Sequence, residues 1–405
     1  MANTLLTKDV ITLQALDIFE NELAAAKCCS RDVQDDFGNK GGQISDSIRI
    51  RKPAQFSIRS GQTWVGEDIE EQFDTLTLEY QKGVDFVLTS KERKLDLNSL
   101  TKQVLKPAIV RLANKVDADI LEIVTKAAYN AVGTPGTTPS TMQTYIDAGV
   151  VLTNFTTPRG NGQRCLCINA EMEGDIAYSL RDQTHPGTKI SNVFNGAEMG
   201  MYAAGLNWML DQNVYTHTAG TYTGTPLVNG ANQVGTSLVT NGWSGGDNLL
   251  VGDRFTIASV FAVNPVTKAT LNNLQRFVVT ADVSDTAGGA MTISISPEIV
   301  GPGERFQNVS ELPGDDAAIT MFSSTARTYS EGIVFNEQAV ALAIVPLDEP
   351  GGTNESSMKY DKQSGVGLRY IEWYDGDKDL WKSRFDVLYG ILLQRPEWAC
   401  VIASG

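Results

Sequence analysis

The sequence predicts an α+β fold that carries an inserted all-β segment, and three observations predict it. Apolar residues recur at helical spacing from Leu95 to Asn130, a run long enough for one extended helix. Alternating, strand-prone runs lie before it, between Ser45 and Arg93, and after it, between Ala326 and Ala403. From Tyr215 to about Ser324 the composition changes: Gly, Thr, Asn, Ser and Val dominate, charges thin out, and short alternating runs are separated by turns.

The elements follow in order. Thr7 is a good N-cap, and Val10, Leu13, Leu16, Phe19 and Leu23 recur at helical spacing, so residues 1–42 read as an N-terminal helix and arm that ends in the Gly38–Gly42 run. Residues 43–94 alternate at Ile48 and Ile50, Phe56 and Ile58, Leu76, Leu78 and Tyr80, then Val84, Phe86 and Leu88, which describes a long two-stranded excursion. Its ascending strand carries Arg49, Arg51, Lys52 and Arg59, and the region around its tip carries Glu67, Asp68, Glu70 and Glu71. A hairpin of that length is marginal alone in water, so it is expected to lie on its own body or on a neighbouring copy.

The stretch 95–214 opens with the long helix, marked by Leu97, Leu100, Val104, Ile109, Leu112, Val116, Ile120 and Ile123. At ~1.5 Å per residue it would span roughly 50 Å, and Pro107 inside it should kink the helix or mark a restart. Beyond a Gly, Pro and Thr loop, Met142–Leu152 reads as a helix, Arg164–Asn169 as a buried strand and Ala170–Leu180 as a helix. In the 215–324 segment, the runs Arg254–Val260, Arg276–Val283 and Met291–Ile295 read as strands, and a small barrel of about six strands accounts for the spacing. Residues 325–405 return to apolar strands, so the main domain is discontinuous in sequence.

Composition narrows the function. A chain of 405 residues exceeds what one core usually supports, and two or three packed units are expected. Its formal charge of −15 argues against a surface built to grip phosphate, and many acidic cytosolic enzymes share this balance. Cys28-Cys29, Cys165-x-Cys167 and Cys400 do not form a secreted disulfide framework and are read as reduced. No signal peptide and no run of ~18 apolar residues is found, so a soluble protein made in a cytoplasm is expected, with no membrane partner.

Candidate chemistry is sparse. His185 and His217 are the two histidines, and neither has a second metal ligand at an established spacing, so structural or solvent-facing roles are favoured. Cys165 and Cys167 face one side of a strand, and a buried core pair is favoured over a metal site. Asp375, Asp377 and Asp379 with Glu372 could hold a divalent cation, but a solvated turn is the favoured reading. No H-E-x-x-H or G-x-x-x-x-G-K-[ST] motif occurs. No catalytic residue, metal or cofactor is therefore assigned, and the chain is read as not an enzyme.

Several segments carry a family resemblance: Phe335-Asn336-Glu337-Gln338-Ala339 with Val345-Pro346, Asp375-Gly376-Asp377, Arg384-Phe385-Asp386, Arg395-Pro396-Glu397, Ser47–Phe56 (SIRIRKPAQF) and Gly365–Tyr370. Together they resemble the major capsid proteins of tailed bacteriophages, and among them the P22-type coat proteins. The resemblance implies the Hong Kong phage type of capsid fold, with N-terminal arm, extended loop, long spine helix, peripheral and axial domains, and an inserted β-barrel-like domain. It makes 43–94 the extended loop that packs on an adjacent subunit, and Phe194–Tyr202 the entry to the axial domain. It implies hexamers and pentamers that close an icosahedral shell around double-stranded DNA without sequence-specific binding. Scaffolding and portal proteins are implied partners, with a decoration protein as an optional one, and the virion is the destination after assembly in the bacterial cytoplasm. Lys-to-Asn cross-linking is not expected for this branch.

On this reading Arg49, Arg51, Lys52, Arg59, Glu67, Asp68, Glu70 and Glu71 are candidates for contacts between subunits. Two competing readings are a tail or tube protein, in which the long helix is not expected, and a prokaryotic nanocompartment shell protein, which normally lacks the inserted domain. A soluble enzyme with an unfamiliar site is the third.

Overall fold

The computed structural model describes residues 8–34, 37, 46–52, 56, 61–62, 64, 66, 68, 71–89, 104–160, 163–180, 203–285, 289–345, 347–350, 355–361 and 365–405. The chain runs through helix α1 (Lys8–Glu22), strands β1 (Ser47–Arg51), β2 (Phe73–Thr77) and β3 (Tyr80–Thr89), and helix α2 (Lys106–Ala127). Strand β4 (Asn130–Gly133), helix α3 (Met142–Asn154), β5 (Arg164–Ile168), helix α4 (Ala170–Leu180), β6 (Asn207–Leu210) and β7 (Thr216–Thr218) follow. Next come β8 (Leu227–Val228), β9 (Gly235–Asn241), β10 (Asn248–Leu249), β11 (Arg254–Val263), β12 (Thr270–Val279), β13 (Val283–Ser284), β14 (Met291–Ile299) and β15 (Ile319–Met321). The last strands are β16 (Thr328–Asn336), β17 (Val340–Val345), β18 (Glu355–Asp361), β19 (Val366–Asp375), β20 (Leu380–Leu393) and β21 (Ala399–Ala403).

Two compact units result: Met1–Ile50, Phe73–Ile120 and Ala341–Leu392 form one, and Arg51–Gln72, Leu121–Val340 and Leu393–Gly405 the other. The first is built on a five-stranded sheet of order β17-β20-β19-β18, with β3 paired to β20 from Tyr80 opposite Tyr389 to Thr89 opposite Leu380. Helix α1 packs on β18 and β19. It buries Thr12, Ala15, Leu16 and Phe19, whereas Leu13, expected on the apolar stripe, is 51% exposed. The stripe on α1 is set by what the sheet covers, and a hydroxyl of Thr12's size fits there.

In α2 the buried positions Ile109, Leu112, Ala113, Val116, Ile120, Leu121 and Val124 keep the expected helical period. Pro107 stands in the first turn of α2, where a missing N–H is tolerated. Leu97 and Leu100 lie outside the described residues.

The alternation between Ser45 and Arg93 divides differently from the expectation. β1 and β2 form a two-stranded sheet framed by Lys52 N–H to Gln72 O and Leu78 N–H to Asp46 O, both 2.8 Å. The run with Val84 and Phe86 belongs to β3 and joins the larger sheet instead. Alternation specifies a strand with two faces, not its partner.

The second unit holds a sheet of order β4-β21-β16-β5-β6, with β7 also paired to β16. Helices α3 and α4 cover it through Tyr145, Leu152, Met172 and Ile176, packed on Leu166, Val334 and Ile402. Strands β15-β11-β12-β14-β9-β8 form a second sheet whose ends meet. Val228 N–H reaches Ala317 O at 2.9 Å, Ile319 N–H reaches Pro226 O at 3.0 Å, and Leu227 bridges Ala318. The sheet is therefore a closed barrel, which leaves no free edge between β8 and β15. Val228, Leu238, Phe255, Ile257, Phe277 and Ile293 fill its interior. Phe255 and Phe277 lie 5.8 Å apart, and burial of each such side chain contributes about 1.5–3 kcal/mol.

Cys29, Cys167 and Cys400 are free and buried. The reading of all five cysteines as reduced is therefore supported for these three and corrected for Cys28 and Cys165, which are not free. That reading weighed only neighbours in sequence, and sequence spacing does not determine the state of a cysteine in the folded chain.

Candidate subunit-contact elements

The charged hairpin is positioned by β1 and β2, five-residue strands of partly covered and exposed side chains in which Leu76 of β2 is fully buried. Arg49 lays its guanidinium 4.7 Å from the centre of the Phe73 ring, a cation–π arrangement. Arg51 Nη1 stands 3.6 Å from Glu71 Oε1, with the two side chains 77% and 58% exposed. Lys52 holds the strand pair through its backbone, and Asp68 is exposed. Arg59, Glu67 and Glu70 lie outside the described residues. Of the eight candidates, then, Arg51 and Glu71 come together within one chain. An exposed pair of this kind contributes at most about 1 kcal/mol, so it leaves both charges accessible to another surface.

Phe56, Trp64 and Phe73 are also exposed on this excursion, Trp64 at 83%. Its indole lies over Gly66, where an added Cβ would come within 2.7 Å of the ring. Sequence reasoning took Phe56 as a strand position and passed over Trp64 and Phe73 because it followed charge. The available signal was a Trp inside a polar, glycine-containing segment with no apolar neighbours at strand or helix period.

Buried polar groups hold the surrounding framework. In the first unit Asp117 of α2, 1% exposed, accepts Ala24 N–H at 2.7 Å and Ala26 N–H at 3.0 Å. Gln34 Nε2 donates to Ile344 O and Gly365 O at 2.5 and 2.7 Å. Asp119 accepts the Tyr389 hydroxyl at 2.5 Å, and burial followed by that carboxylate pushes the phenol upward. In the second unit Arg254 and Glu331 form a fully buried ion pair at 2.6 Å. Burial lowers the Arg254 pKa, but Glu331 and Tyr329 outweigh it and the net direction is upward.

The residues weighed for chemistry have structural partners. His217 Nε2 is 2.9 Å from Asp253 Oδ1 inside the protein, and Asp253 also accepts Gly220 and Leu250 N–H. His185 lies outside the described residues. Asp375 pairs with Lys382 at 2.8 Å and also accepts Asp377 N–H, while Asp379 accepts the Tyr374 hydroxyl. The Lys382 hydrogen bond draws the Asp375 pKa down. These contacts describe the turn between β19 and β20. Among the described residues no group of three or more His, Cys, Asp and Glu is arranged to hold a metal. No helix among them is long and apolar enough to cross a membrane.

A family model described as "P22 coat protein - gene protein 5" matches residues 1–405. No match is found among curated proteins. Among solved structures, a chain of Mycobacterium phage Che8 is 14% identical with a TM-score of 0.45, covering 94% of this chain and 90% of its own. A chain of the bacteriophage PhiM1 mature capsid is 8% identical with a TM-score of 0.45, covering 89% and 82%. The CUS-3 coat protein I-domain is 28% identical with a TM-score of 0.20, covering 25% of this chain and 98% of its own.

Proposed function

Because this chain belongs to the P22 coat protein family, we propose that it builds an icosahedral shell of hexamers and pentamers around double-stranded DNA, with the β1–β2 hairpin in contact with a neighbouring copy. It is a phage major capsid protein, a structural component of the virion that assembles with copies of itself. The observation that carries this reading is the family match over the whole chain.

Within the proposal, residues 95–214 and 325–405 supply the peripheral and axial parts and 215–324 the inserted domain. Assembly proceeds in the bacterial cytoplasm with scaffolding and portal proteins, and with a decoration protein where one exists. The chain acts by contact and not by catalysis. A net charge of −15 supports enclosure of DNA over tight binding, since phosphate neutralisation needs excess Lys and Arg. Accessible Arg51 and Glu71 and the exposed Phe56, Trp64 and Phe73 support the hairpin as a contact. A shell of many copies needs interfaces that are individually weak and collectively strong, and a ribbon with exposed charges of both signs and exposed aromatics meets that demand.

Electron microscopy of the purified chain, expressed alone and with a scaffolding partner, tests the reading. Closed shells tens of nanometres across are expected, and Arg51→Glu with Arg59→Glu should abolish them. Tubes would point to a tail protein, and a small monodisperse particle under both conditions would remove the shell reading. Intact shells from the charge-reversed chain would remove the hairpin charges from the contact.

A further inference from the structure

Arg254 opens β11, the first long strand of the barrel, yet among the described residues its side-chain hydrogen bonds all go to partners outside the barrel. Its Nε donates to Ala128 O at 2.8 Å and its Nη2 to Thr125 O at 2.6 Å, while Nη1 donates to Glu331 Oε1 at 2.6 Å. Thr125 lies in the last turn of α2 and Ala128 just beyond it, where helix carbonyls lack intrahelical donors. A cation at that end also opposes the partial negative charge of the helix terminus. Glu331 lies in β16, opposite Ala403 of β21. One planar guanidinium therefore joins barrel, helix end and sheet in a single fixed geometry, which a lysine could not reproduce.

Other ties lie beside it, among them His217 of β7, which pairs with β16 and stands 2.9 Å from Asp253, the residue before Arg254. Ala262 and Val278 of the barrel pack with Tyr129 and Phe155. Asn264, beyond β11, donates to Asn154 O at the end of α3, 2.8 Å away. These contacts attach the barrel through an apolar patch, one carbonyl and one His–Asp pair, whereas the Arg254 fork holds a helix end and a strand with one planar group.

We infer that Arg254 is the positioning residue that fixes the angle at which the barrel is carried on the framework of α2 and β16, so that every copy in a shell presents its barrel alike. The inference rests on the shell-subunit reading for its consequence, but its geometry is testable in the single chain. A purely stabilising pair would behave differently from a positioning one. Replacement of both charges by apolar side chains of similar volume is often neutral for stability, so Arg254→Met with Glu331→Met separates the two roles.

The expected result is a folded double variant with barrel-core amides such as Phe277 and Ile293 still protected. The amides of the last turn of α2 should exchange roughly tenfold faster. Its shells should lose the single diameter of the parent, and Arg254→Lys, which retains the charge without the fork, should fail to restore it. A folded double variant with parental exchange and uniform shells overturns the inference. If the double variant does not fold, exchange in the parent decides. Co-ordinated opening of β11, β16 and the end of α2 supports the hub, and independent opening of the barrel refutes it. A parent that forms no shells refutes the shell reading alone, and the same exchange measurement still settles Arg254.

Discussion

Asp117→Ala should detach the N-terminal segment from α2. The carboxylate is 1% exposed and accepts two backbone N–H groups, Ala24 at 2.7 Å and Ala26 at 3.0 Å, just after α1 ends. Alanine leaves both donors without that acceptor. The Ala26 bond is buried and its loss carries the full cost, about 1–3 kcal/mol, whereas the Ala24 donor is partly covered and water recovers some of it. Arg31 adds to the loss: burial lowers its pKa, and the Asp117 charge is among those that oppose this. The sum is about 3 kcal/mol, with Asp117→Asn losing roughly half because one acceptor oxygen remains. A chain of two compact units need not unfold in one step, so the assay is local. Amide exchange at Leu16 and Phe19 should rise by about a hundredfold, the factor equivalent to about 2.7 kcal/mol. A change below about fivefold in the alanine variant, with Ala24 and Ala26 still protected, would show that the carboxylate does not hold the segment.

Two more outcomes are expected. An added Cβ at Gly390 in β20 would fall 2.2 Å from the backbone oxygen of Thr77, so Gly390→Ala should cost about 1–3 kcal/mol in urea unfolding of the first unit, and a neutral result would mean the two backbones can part freely. Burial pushes the Cys400 thiol up to about 12, with Arg276 and Arg254 opposing it, so a thiol reagent at pH 8 should label Cys400 only after unfolding. The raised value also gives the sign of its pH dependence: its contribution to stability is complete below the ordinary thiol value of 9.0 and is lost as pH rises toward about 12. Rapid labelling of the folded chain would contradict both statements.

Much of the local structure was legible in the residues. The reading of Met142–Leu152 as a helix differs from α3 by two residues at one end, and Ala170–Leu180 coincides with α4. The buried strand read over Arg164–Asn169 is β5 with one residue fewer. Arg254–Val260, Arg276–Val283 and Met291–Ile295 all lie in or overlap strands. Each of these segments has a period that survives whatever it packs against. The contact candidates were legible only as charges: their spacing could not show that Arg51 meets Glu71 or that Arg49 stacks on Phe73.

Residue order alone determined the mixed α+β character, the composition change that begins near Tyr215, and the family to which the chain belongs. These depend on local periodicity and on residue identity, which neighbours in sequence carry. Tertiary structure alone decided that β3 pairs with β20 and that Thr12, not Leu13, turns inward. It also decided that Arg254 in a strand and Glu331 in another meet at the end of a helix. Both charges stand at apolar runs where burial is costly, and only a partner 77 residues away makes that burial stable. Such pairings arise from the free energy of the assembled interior, and no local window of sequence contains both halves of the interaction.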